Sequence, residues 1–255
     1  MSGKDREKVL HSLLKLGETL VRCGAEISRV EDTLCRMGKA YGASDMNVFA
    51  ITSSIWVTMV FPDDIQLTES RRIKQGEDTN FRKLEEINDL SRRCCAEPMS
   101  VDALRLEVDR IRGESASDLK KVLGSIIAAG AFAVFFGGTV WDCAAAAFFA
   151  VVIWLLQKYF EPLCTNKVVF NLLASFFTGF LIVLSAHWIP PLHVDMVIIG
   201  DIMLLIPGMA ITNSVRYMLV GDTMSGIMRF TESLLWAAAL AFGFMGAMVL
   251  GGVLL

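Results

Sequence analysis

Residues 201–217 read DIMLLIPGMAITNSVRY. The run is apolar enough to lie in a bilayer, yet it opens on Asp201, carries Pro207-Gly208 at its middle and leaves through Asn213 and Arg216. A proline offers no N–H, and its ring displaces the carbonyl four residues earlier, here that of Met203, while glycine adds flexibility. In hydrocarbon such a break survives only where protein or a watery cavity covers the freed backbone groups. A carboxylate inside a span costs roughly 2.5–3.5 kcal/mol on insertion scales, so Asp201 is expected to face a bundle interior or cavity, able to carry a proton or pair with an ammonium. Discontinuous spans of this kind coordinate substrates and ions in secondary transporters. The plainer alternative is an ordinary kink with Asp201 near the outer interface.

The surrounding chain divides sharply. Of its 255 residues 54% are hydrophobic, with a mean hydropathy of +0.51. Residues 1–120 hold 19 of the 24 Lys and Arg and 21 of the 27 Asp and Glu. Beyond them the charge-free runs are 122–141, 143–157, 168–194, 202–215 and 233–255. About 20 apolar residues cross a bilayer, which three runs supply outright. The other two suffice if Asp142 sits at an interface and Asp201 within the membrane. The reading is five spans, near 122–141, 143–158, 168–187, 196–213 and 232–253, in a domain of residues 120–255.

Basic residues orient these spans. Lys120 and Lys121 precede the first, Lys158 and Lys167 lie between the second and third, and Arg216 and Arg229 lie between the fourth and fifth. Every one falls on the side of residues 1–119, which the positive-inside rule makes cytoplasmic. No secretory signal pattern precedes them. The expectation is an N-terminus inside, a C-terminus outside and location in a bacterial inner membrane.

Several classes of function are disfavoured. Cys23, Cys35, Cys94, Cys95, Cys143 and Cys164 form no C-x-x-C pair, and His11, His187 and His193 are dispersed, so neither a disulfide framework nor a metal site is expected. A net charge of -3 without basic clusters argues against nucleic acid. There is no phosphate-loop motif for an ATP-driven pump, and His11 has no identifiable nucleophile and acid partners. The protein reads as a non-enzyme without cofactors.

Residues 1–119 read as a cytosolic α+β domain. Apolar residues recur at helical spacing over 4–22, over 27–41 (Ile27, Val30, Leu34, Met37, Tyr41), over 78–95 and over 101–112, where Ser100 is a plausible N-cap. Between them IWVTMVF and IQLTESRR flank Pro62-Asp63-Asp64 as a hairpin, with MNVFAITS as a possible third strand. The stretch CGAEISRVED places Glu26, Arg29 and Glu31 within two turns, with Glu26 and Arg29 as i,i+3 neighbours. That is either a surface ion pair or a ligand or partner site beneath the membrane.

After the broken span comes VGDTMSGIMRFTES, with Asp222, Arg229 and Glu232. It reads either as a solvated loop or as an amphipathic or re-entrant segment at an inner gate, where Arg229 would attract carboxylates. Gly243, Ala247 and Gly251 then recur every four residues, a face for close helix packing.

Two stretches carry a family resemblance. GETLVRCGAEISRVEDTLCRMGKAYG resembles the opening of the threonine/serine exporter family, and LLIPGMAITNSVRYMLVGDTMSGIMRF resembles its Pro-Gly span with the following Thr-Asn, Gly-Asp and Ser-Gly. Between them Gly137, Gly138, Trp141 and Asp142 match a Gly-Gly-x-x-Trp-Asp in the right order. The resemblance implies an inner-membrane exporter of threonine and serine. It is also similar to the shorter, YjjP-like branch, associated with a separate small membrane protein and with succinate export. Longer members have about ten spans. A five-span chain therefore implies a second small polytopic subunit, or several copies, to enclose a pathway within membrane lipid.

The leading expectation is a secondary efflux transporter for small amino acids. Asp201 would be the protonatable or ammonium-binding group, the carbonyls around Pro207-Gly208 and the Asn213 amide its polar ligands, and Arg216, Asp222 and Arg229 its cytoplasmic entrance. The alternatives are a succinate exporter subunit and a membrane-anchored sensor whose cytosolic domain binds a metabolite.

Overall fold

The structure is a computed structural model, and it describes residues 2–73, 80–114, 117–189 and 191–254. Gly3–Arg22 (α1) starts with a capping box from Ser2 and Asp5 and stops at Gly24, whose φ of 84° an L side chain resists. The Gly24 and Ala25 N–H groups bond back to Val21 and Leu20, so the chain turns sharply into Ile27–Ala40 (α2). Asp45–Ile51 (β1), Ser54–Val60 (β2) and Gln66–Arg72 (β3) form an antiparallel sheet in the order β1-β2-β3. Asp64, at φ 57°, makes the turn after Pro62. Phe81–Ala96 (α3) and Val101–Gly113 (α4) follow, with Ser100 accepting the Ala103 N–H at 3.3 Å. The first residues of the helix expected from position 78 lie outside the described residues.

These elements share one core, in which Leu13, Leu14, Leu34, Met37, Ile55, Val57, Met59, Leu90 and Leu104 are fully buried. Alternation in β2 explains the sheet's place: Ile55, Val57 and Met59 point inward, and Trp56 outward against Phe49. Glu18 is nearly buried and fastens three elements, meeting Arg71 at 3.2 Å and Arg112 at 3.1 Å. Thr212–Arg229 clusters with Met1–Ser115 as one compact unit.

The second unit comprises Ala116–Ile211 and Phe230–Leu255. Asp118–Phe135 (α5) ends in a Schellman motif, with Gly137 at φ 103° and Gly138 bonding to the Ala133 carbonyl. That turn lies inside the run expected to span as 122–141, so the helix stops at Phe135. Val140–Leu155 (α6) continues through π and 3-10 turns to Leu163, a helical stretch of 24 residues, and carries Lys158, which pairs with Asp118 at 2.6 Å. Lys167–Trp188 (α7), Val194–Leu205 (α8) and Gly208–Val220 (α9) follow. Thr223–Leu254 (α10) is 32 residues, about 48 Å at the α-helical rise.

α10 corrects one expectation. The segment from Asp222 to Glu232 is neither a loop nor a separate short helix: it forms the first turns of α10, with Asp222 accepting the Ser225 N–H at 3.4 Å. The helix that contains the expected span of 232–253 begins nine residues before it, at Thr223. Among the described residues, three helices can cross a membrane by length and composition, Val140–Leu163, Lys167–Trp188 and Thr223–Val253, or four if α8 and α9, bent by 51°, count as one.

Small residues set the helix spacing. A Cβ on Gly243 would overlap the Ser175 hydroxyl, and one on Gly251 would overlap Val183, so the small face of α10 is spent on α7 of the same chain. Asp142, in the turn that opens α6, is fully buried within the protein. One oxygen accepts from the Thr139 N–H at 2.7 Å, Thr139 Oγ1 at 2.8 Å and His193 Nδ1 at 3.0 Å; the other accepts the His193 N–H at 2.7 Å. It caps α6 and holds the start of α8.

Two predictions follow from these contacts. Asp142→Ala removes the acceptor of four hydrogen bonds from Thr139 and His193 and is expected to cost about 2–3 kcal/mol. Thermal unfolding of the detergent-purified chain should show that loss, and a smaller one for His193→Ala, which keeps the backbone bond. In the N-terminal unit, hydrogen bonds from Arg6, Lys15 and Arg110 hold the carboxyls of Asp63, Asp109 and Glu107 below their ordinary range. Lowered values stabilise the fold above the unfolded pKa, and that contribution disappears as pH falls through the folded one. Hydrogen exchange of α1 and α4, corrected for intrinsic rate, should hold from pH 7 to about 5 and accelerate below about 4.

Candidate functional site

The polar interior of the second unit is built around α8. A Cβ on Gly200 would meet the Ala129 carbonyl and the side chains of Ala133 and Ala146, so α8 approaches α5 and α6 closely at this level. The next residue, Asp201, is fully buried, and neither carboxylate oxygen has a hydrogen-bond partner among the described residues. Buried polar groups in native proteins are satisfied as a rule, so both oxygens require an explanation.

α7 carries a polar stripe of its own, which meets α10 where Ser175 lies against Gly243. Asn171, Ser175 and Thr178 recur at steps of four and three, and all three are buried. The Ser175 hydroxyl donates to the Asn171 carbonyl at 2.6 Å, while Asn171 Nδ2 and Thr178 Oγ1 have no hydrogen-bond partner among the described residues. Six residues after Asp201 the helix breaks. Ile206 is extended (φ −65°, ψ 130°), the Gly208 N–H donates to the Ile206 carbonyl at 2.9 Å, and α9 restarts with the Ile211 N–H on Pro207. Pro207 offers the Met203 carbonyl no N–H, so this backbone oxygen loses its helical donor.

A second constellation lies within the first unit. The turn at Gly24 presents Glu26 as the residue before α2, 15% exposed. Its carboxylate meets Arg29 at 3.5 Å and Arg216 of α9 at 3.2 Å. One residue on, the Tyr217 hydroxyl donates to the Ala25 carbonyl at 3.1 Å. Tyr217 is buried and lies within electrostatic reach of Arg229, Asp222, Glu26 and Arg216. The opening stretch of the chain thus grips the stretch that follows the proline, along with the start of α10.

Of the residues singled out from the sequence, the structure brings together Glu26, Arg29 and Arg216, with Asp222 and Arg229 around Tyr217. Glu31 turns elsewhere: it accepts the Ala50 N–H at 2.9 Å and so anchors β1. Asn213 is half-buried, and it belongs to the first unit whereas Asp201, Pro207 and Gly208 belong to the second. Sequence reasoning missed Tyr217, the Asp142–His193 pair and the stripe on α7. Only the stripe left a signal, as polar residues at helical spacing in a charge-free run.

No match was found among the curated proteins or among the solved structures. A family model described as "Putative threonine/serine exporter" matches residues 11–251, nearly the whole chain. Both constellations fall inside that match, and the chain belongs to the ThrE family of threonine/serine exporters.

Proposed function

We propose that the chain exports threonine and serine across the bacterial inner membrane as a secondary transporter, with Asp201 at the centre of the pathway. One observation carries this reading: a fully buried carboxylate, neither of whose oxygens has a hydrogen-bond partner among the described residues, stands six residues before the break at Pro207. An ionised carboxylate in hydrocarbon needs a counter-charge, and a proton or the ammonium of an amino acid supplies one. The Met203 carbonyl, Asn171 and Thr178 offer further polar atoms in the same unit. Family membership supports the substrate class.

In this reading α5 is a fifth span, its charged first turn at the cytoplasmic surface, and the N-terminus lies inside and the C-terminus outside. A second small polytopic subunit, or further copies of the chain, completes the pathway. Arg216 and Arg229 favour a second substrate, succinate, which has no ammonium to pair with Asp201 and depends on arginines. Efflux of preloaded serine, threonine and succinate from vesicles separates the two. Asp201→Asn is expected to reduce serine and threonine efflux at least tenfold and to spare succinate; loss of succinate efflux alone would reverse the assignment. Absence of efflux with and without the second subunit, despite correct insertion, would favour a sensor.

Glu26 and Arg216 then act as a catch on the α9 side of the break. The pair is half-exposed, so its coupling is about 0.5–1 kcal/mol. Hydrogen exchange over residues 212–229 should speed up in Glu26→Gln and in Arg216→Gln. The double variant should exchange no faster than the worse single; additive effects would mean that the two side chains act separately.

A further inference from the structure

The first unit contains an open cleft of about 400 Å³ between α2 and α3. α2 lines it with Arg29, Thr33 and Arg36, and α3 with Asn88, Ser91, Arg92 and Cys95. On each helix these residues fall at steps of three and four, so two polar stripes face one another. Thr33 and Ser91 are buried and form the floor, while the guanidinium-bearing side chains of Arg29, Arg36 and Arg92 are 74%, 63% and 72% exposed at the rim. No acidic residue is among the described residues that line it.

We propose that this cleft binds a small anion carrying two or more carboxylate or phosphate groups, and that the bound anion competes with Glu26 for Arg29. Three guanidinium groups over hydroxyl and amide donors suit such a ligand, because each guanidinium presents a fork that matches a carboxylate or phosphate. A zwitterionic amino acid does not suit it, since its ammonium would face the same arginines. The cleft is therefore separate from the export pathway assigned to Asp201. Each arginine already has an acid on or beside its own helix: Glu26 for Arg29, Asp32 for Arg36 and Asp89 for Arg92. These pairs are solvated and weak, so they orient the guanidinium groups without withholding them from a multivalent anion.

Arg29 gives the site a consequence. It lines the cleft and also shares the Glu26 carboxylate with Arg216. An anion that draws Arg29 away leaves Glu26 to Arg216 alone and tightens the catch on α9. The binding claim stands on the cleft itself; its effect on export rests on the transport reading above.

The test uses the full chain in detergent or nanodiscs, titrated calorimetrically with citrate and with inorganic pyrophosphate at physiological salt, and with serine as the zwitterion. Saturable binding of either anion is expected, with which one binds deciding between carboxylate and phosphate, and none of serine at this site. Arg36→Gln with Arg92→Gln should weaken the anion at least about tenfold. Glu26→Gln, which removes the competitor for Arg29, should tighten it about two- to fivefold. Exposed Cys95 provides a footprint: bound anion should slow its alkylation in the natural protein and not in the double arginine variant. No saturable binding by either anion, or equal binding to the double variant, would overturn the site. Unchanged affinity in Glu26→Gln would overturn the competition. Binding is read without transport, so a failure of the export reading would show in the efflux experiment and leave these results intact.

Discussion

A carboxylate enclosed by protein, with no donor among the described residues, is a costly feature of the second unit, and its neighbours explain how it comes to be there. Gly200 has no side chain, which lets α8 press against Ala129, Ala133 and Ala146. The same close approach that builds the apolar core carries Asp201 inside with it. Packing alone would be better served by an apolar residue at this position. The break at Pro207 compounds the expense, since it adds a backbone carbonyl that has lost its helical donor. Two such costs within six residues are most simply reconciled if something polar passes there.

The two buried aspartates of this unit show why burial alone is not the signal. Asp142 is as enclosed as Asp201, but Thr139 and His193 supply it with donors at 2.7 to 3.0 Å. It is a strut, joining the cap of α6 to the start of α8. The sequence does not distinguish them: both are single acids between apolar runs. Which is satisfied depends on His193, 51 residues from Asp142, and no local pattern reports such a pairing.

What local pattern does report is the elements themselves. The 3.6-residue recurrence of Ile27, Val30, Leu34 and Met37 marks α2, the alternation around Trp56 marks β2, and Pro207-Gly208 marks the break, because each is dictated by side chains next to one another in the chain. Helix limits were harder where two tendencies competed. The run 122–141 is free of charge throughout, yet Gly137-Gly138 ends α5 within it, since a Schellman turn satisfies the last carbonyls there. Conversely, the charged segment from Asp222 to Glu232, which by polarity reads either as a loop or as an amphipathic or re-entrant segment, is continuous with the long helix α10. Asp222 caps it, and a Cβ on Gly226 would meet Met218 and the Ser214 carbonyl, so it packs too closely on α9 to be a solvated loop.

The Glu26–Arg216 pair belongs to a third category, invisible in either stretch alone and yet foreshadowed by them together. Both lie in the segments that carry the family resemblance, nearly two hundred residues apart in the chain, and the structure makes them neighbours within one unit. The hydroxyl of Tyr217 on the Ala25 carbonyl repeats the connection one residue further along α9. Neither contact is strong. An ion pair with a half-exposed arginine and a single hydrogen bond together are worth about 1–2 kcal/mol, a few-fold to thirtyfold in population. A bond that held α9 by ten times as much would fix it permanently. A coupling of this size lies in the range that differential binding of a ligand can shift, and a coupling ten times larger does not.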